Sequence, residues 1–67
     1  MIDVLIKDSE ASSIYSFSIV DNGIDFRIDG FLVDIIEDFG IIDSVDKLRT
    51  IVSNLMKSWK LDFIFLN

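Results

Sequence analysis

The chain has 67 residues, a formal net charge of −6, a hydrophobic content of 51%, and no Cys, His or Pro. Without Cys or His it builds no disulfide framework, no thiolate or imidazole metal site, and no Ser–His or Cys–His nucleophile. The acidic balance opposes direct binding to nucleic acid and to anionic membranes, both of which depend on Lys and Arg.

In chain order, MIDVLIK alternates, with Ile2, Val4 and Ile6 on one face and Asp3, Leu5 and Lys7 on the other, the pattern of a half-buried strand. A polar run, Asp8 to Ser13, reads as a loop. Ile14 to Val20 alternates again, with Tyr15, Phe17 and Ile19 on its apolar side. Asp21-Asn22-Gly23 follows, and Asn-Gly supplies the two positive-φ positions of a hairpin turn. Ile24 to Asp29 completes the hairpin, with Ile24, Phe26 and Ile28 sharing a face. Three strands in a meander are expected.

Residues 31–39 read two ways. Phe31, Leu32, Ile35, Ile36 and Phe39 fit a helical stripe, with Gly40 placed to end it. As a strand the same residues separate polar from apolar poorly, so a short helix is expected. Ser44 to Trp59 is the main helix. Val45, Leu48, Ile51, Val52, Leu55, Met56 and Trp59 recur at three-and-four spacing, and Asp43 or Ser44 is placed to cap its start. Lys60 to Asn67 has strand composition and is apolar on both faces. It is expected either in the middle of the sheet or covered on its second face by another copy or a partner.

The expected fold is therefore α+β, one domain over residues 1–67 in the order β-β-β-α-α-β. A three-stranded antiparallel meander and a C-terminal strand pack on one main helix and one short helix. No apolar run approaches the roughly 20 residues that cross a bilayer. Residues 1–7 lack the basic and continuous apolar regions of a signal peptide. A cytoplasmic protein is expected.

The candidate functional residues are electrostatic. Asp21, Asp25, Asp29, Asp34, Glu37, Asp38, Asp43 and Asp46 share their stretch with a single basic residue, Arg27. Residues 1–46 hold eleven acidic and two basic residues, whereas residues 47–67 hold one acidic and four basic. Acids near helix starts and bases near helix ends are ordinary complements of the helix dipole. An acidic face presented to a basic protein groove, such as the channel of a nuclease, is the functional alternative. Asp21 to Asp25 lacks the ligand spacing of a calcium loop, and the glycines lack that of a phosphate cradle. Trp59 and Tyr15 fall on apolar faces and are expected in the core.

Two functions are compatible with this pattern, and neither is enzymatic or uses a cofactor or metal. The first is a small inhibitor of the immunity, antitoxin or phage anti-defence (anti-CRISPR) type, docking on a basic, nucleic-acid-binding protein. The second is a structural or assembly subunit acting as a homo-oligomer, a homodimer at its simplest. Its interface would use Leu5, Ile64 and Leu66, the apolar residues on the sheet face that alternation leaves outside.

Overall fold

A computed structural model describes residues 2–21, 23–37 and 40–67. Its elements are β1 (Asp3–Asp8), β2 (Ile14–Val20), β3 (Gly23–Ile28), β4 (Phe31–Ile36), α1 (Val45–Ser58) and β5 (Phe63–Phe65). The strands form one antiparallel sheet in the order β4-β3-β2-β1-β5. An α+β fold of a small antiparallel sheet and a main helix was expected; five strands and one helix are what the described residues show.

Alternation decides which side of the sheet is buried. Val4 pairs with Phe17 and Phe17 with Phe26, and all three are buried on the face that α1 covers. The helix contributes Leu48, Val52 and Met56, spaced four apart and all fully buried. The opposite face carries Asp3, Leu5, Lys7, Ser16, Ser18, Asp25 and Arg27, and no element of the described residues packs on it.

The helix ends are set by local chemistry. Ser44 is the N-cap, its hydroxyl accepting from Lys47 N–H at 3.2 Å. Asp43 stands one residue too early and instead pairs with Lys47 at 2.8 Å. At the other end Leu61 N–H donates to Met56 O (3.0 Å) and Lys60 N–H to Lys57 O (3.1 Å), the two bonds of a Schellman motif. Lys60 occupies its left-handed position at φ 57°, where glycine is usual.

Residues 31–36 correct the expected short helix. They form β4, so the order is β-β-β-β-α-β, and Phe39 and Asp38 lie outside the described residues. The cause is a bulge. Phe26 pairs with Asp34 and Arg27 with Leu32, leaving Val33 as an extra residue. Phe31 and Asp34 consequently share one face, and Leu32 and Ile35 the other. Same-face residues then stand three apart, which imitates helical spacing in the sequence.

Two hairpin turns are also placed differently. Asp29 (φ 51°) and Gly30 (φ 85°) are the paired positive-φ residues of a two-residue turn between Ile28 and Phe31. In the β2–β3 hairpin Gly23 already pairs with Val20 as a strand residue, which takes it out of the expected Asn22-Gly23 turn, and Asn22 lies outside the described residues. Gly23 has φ 151°, and a Cβ there would run into the Ile36 carbonyl of β4. The close approach of β4 to β3 needs glycine at this position.

The C-terminal strand is not central. β5 is an edge strand bonded to β1 alone, so the alternative that a middle position explains its two apolar faces falls away. Trp59 also departs from expectation. It is the C-cap residue, keeps 42% of its surface exposed, and lies tilted on Phe26 with ring centres 5.5 Å apart.

Candidate functional site

The eight acidic positions singled out in the sequence fall into separate groups. Asp21 is exposed in the β2–β3 loop, and Glu37 follows Ile36 with its backbone against Gly23, at the same end of β3. Asp25 is on the uncovered sheet face, held bidentately by Arg27 (Nε–Oδ1 2.9 Å, Nη2–Oδ2 3.4 Å). Asp29 is at the opposite end of β3. Asp43 and Asp46 flank the start of α1, paired with Lys47 and with Arg49 (3.0 Å). Asp38 is outside the described residues. A carboxylate already bonded to a neighbouring base has less field to offer a partner. Of these eight, the described acids that make no ion pair are Asp21, Asp29, Asp34 and Glu37, and all four lie on or just after β4 or on the loops beside β3.

Several of these carboxylates do local structural work. The Asp29 Oδ1 accepts from Ile14 N–H at 2.8 Å, and its own N–H donates to Ile14 O at 2.8 Å, which ties the turn to β2. Arg27 Nη1 donates to Gly30 O at 3.2 Å and braces the same turn. The Asp34 Oδ1 accepts from Ile35 N–H at 2.8 Å. The hydrogen bond from Lys47, and then its positive charge, hold the Asp43 carboxyl below the usual range.

The side chains that alternation did not pick out are Phe31, Leu32 and Val33. They are 78%, 52% and 52% exposed and follow one another directly on the outer strand β4. Three consecutive exposed apolar residues cost solubility without contributing to the core, a pattern kept where a surface has a use. Their exposed area is on the order of 300 Å² in all, divided between the two sides of this outer strand because Phe31 and Leu32 face opposite ways. The signal was present in the sequence. Asp29-Gly30 is a hairpin turn as strong as Asn-Gly, and reading it so turns Phe31-Leu32-Val33 into the start of an outer strand.

No protein-family model matches the chain, and neither a curated protein nor a solved structure shows significant similarity to it. Function must be argued from this surface. Among the described residues no polar or charged side chain is buried, no three His, Cys, Asp or Glu gather as metal ligands, and no helix is long and apolar enough to cross a membrane.

The three residues proposed from sequence as an oligomer interface do share one surface. Ile64 pairs with Lys7, and Leu66 N–H donates to Leu5 O at 2.8 Å, so Leu5, Ile64 and Leu66 lie together on the uncovered face. Ile64 and Leu66 are exposed and Leu5 is half-buried.

Proposed function

We propose that the chain is a non-enzymatic protein-binding module that docks through β4 on a basic protein. The observation that carries this reading is the run Phe31-Leu32-Val33, exposed beside the unpaired carboxylates of Asp29, Asp34 and Glu37. Apolar anchors surrounded by a charged rim are the anatomy of a protein interface. The sign of the rim selects a partner rich in Lys and Arg, and speeds encounter with it. A protein with a nucleic-acid channel has that surface. The reading is thus an inhibitor that occupies such a channel, as an immunity protein, an antitoxin or a phage anti-defence protein would.

Docking by side chains is favoured over addition of a strand to the β4 edge. The bulge at Val33 breaks the regular ladder, and the Asp34 carboxylate already occupies the Ile35 N–H. Both are devices that blunt an edge against further pairing.

The test is affinity capture with the parent chain and with a Phe31→Ser/Val33→Ser variant as baits, at low and at moderate salt. The reading expects a basic protein that the parent retains, that elutes as salt rises, and that the variant fails to hold. The same basic protein retained equally by both baits would overturn it.

A further inference from the structure

The uncovered sheet face meets the β4 docking run at Leu32, which pairs with Arg27, and the rest of its chemistry matches a second copy of this chain. Its apolar members include Leu5, Ile14, Ile64 and Leu66 on β1, β2 and beside or within β5, and Leu32 and Ile35 on β4. A face made only for water would be polar at these positions, and β5 sits at the edge with nothing over Ile64 among the described residues.

Charge is the second observation. The chain carries −6, yet the strands of this face hold two acids, Asp3 and Asp25, and two bases, Lys7 and Arg27. Other acids stand just beyond the strand ends, Asp21, Asp29, Glu37 and Asp62, with the Asp29 carboxylate accepting from Ile14 N–H. Asp25 and Arg27 satisfy each other within one copy. Asp3 and Lys7 do not: they stand two positions to either side of Leu5 on the same strand, with no ion pair of their own among the described residues.

That spacing is self-complementary. A two-fold axis over Leu5, lying between two stacked sheets and perpendicular to the strands, sets β1 antiparallel to the partner's β1. Leu5 then meets the partner's Leu5, Lys7 the partner's Asp3 and Asp3 the partner's Lys7, while Ser16 and Arg27, in the same row as Leu5, meet their own counterparts, each Arg27 neutralised by its own Asp25. Area sets the strength of the contact. Five strands about 4.8 Å apart and at most about 20 Å long offer on the order of 480 Å² per copy, the size of a small and weak interface. We infer that the chain forms a two-fold dimer by stacking its uncovered sheet faces, in register at Leu5 with two Asp3–Lys7 ion pairs across the axis.

The proposal is tested by sedimentation of the full chain from micromolar to millimolar concentration, with circular dichroism confirming that each variant is folded. The parent is expected to reach twice the monomer mass. Lys7→Asp is expected to weaken the dimer by about tenfold, since two pairs become repulsive. Asp3→Lys is expected to weaken it as well, although that change lowers the overall repulsion between copies. The Asp3→Lys/Lys7→Asp double variant restores the pairs in reverse and is expected within about threefold of the parent. Phe31→Ser/Val33→Ser, which leaves Leu32 and Ile35 of the uncovered face in place, is expected to leave the dimer intact. A parent monomeric at millimolar concentration would overturn the inference, as would a double variant no tighter than Lys7→Asp alone. Leu5→Asp supplies a further readout: a folded variant that still dimerises like the parent contradicts the stacked arrangement.

Discussion

Phe26 and Phe31 make a paired experiment, because the same residue type occupies two strands of one hairpin in opposite environments. Phe26 is 6% exposed, stacked on Phe17 with centres 4.7 Å apart and planes at 5°, with Tyr15 edge-on at 5.9 Å and Trp59 tilted above it. Truncating it to Ala removes a buried ring from three aromatic neighbours and leaves a cavity, a loss of about 4 kcal/mol. Phe31 keeps only about a fifth of its surface covered. On a side chain of roughly 200 Å² that is ~40 Å² of burial, so Phe31→Ala costs about 1 kcal/mol. A chain of this length has a total stability of roughly 3–10 kcal/mol. Phe26→Ala therefore takes much of it, and Phe31→Ala little. Urea unfolding followed by circular dichroism, with Trp59 fluorescence as a second probe, measures both. Losses within ~1.5 kcal/mol of each other would refute the reasoning. That result would place Phe31 inside the native packing rather than on a surface kept for a partner.

Four further outcomes follow from the turns, caps and charges. Gly23→Ala drives a Cβ into the Ile36 carbonyl at a positive φ and should cost about 2 kcal/mol, whereas Gly30→Ala, with open space around it, should cost about 1, read from melting curves. Lys60→Gly relieves a left-handed lysine at the end of α1 and should raise stability by ~0.5–1 kcal/mol in urea titrations. Ser44→Ala removes the N-cap bond to Lys47 N–H and should lower stability by about 1 kcal/mol, with helix fraying visible in amide exchange. Asp43 should titrate below the ordinary carboxylate range by NMR, and Lys47→Ala or high salt should bring it back. Because its folded pKa is depressed, the pair stabilises the fold above the unfolded value of about 4. That contribution disappears as pH falls through the folded value.

Much of this fold is written locally. Alternation in residues 2–7, 14–20 and 24–28 is enough to identify three strands and the face each one buries, because period two has no rival in those runs. Leu48, Val52 and Met56 identify the buried stripe of α1 for the same reason. The fourth strand was hidden by one residue. With Val33 unpaired, Phe31, Asp34, Leu32 and Ile35 keep a three-residue spacing, and no local rule separates a bulged strand from a short helix there. Only the Asp29-Gly30 turn breaks the tie. The carboxylates were visible as a cluster in sequence but scatter in space, since strand reversal sends Asp21 and Asp29 to opposite ends of the sheet. Their pairing was half legible: Asp43–Lys47 and Asp46–Arg49 follow from helical spacing, and Asp25–Arg27 from the period of a strand.

Hydrogen–deuterium exchange on the chain alone and with a captured basic partner tests the docking surface most directly. The account predicts new protection of the β4 amides and of the Asp29-Gly30 turn, lost again as salt is raised. Protection confined to α1, with β4 exchanging as it does in the free chain, would contradict it.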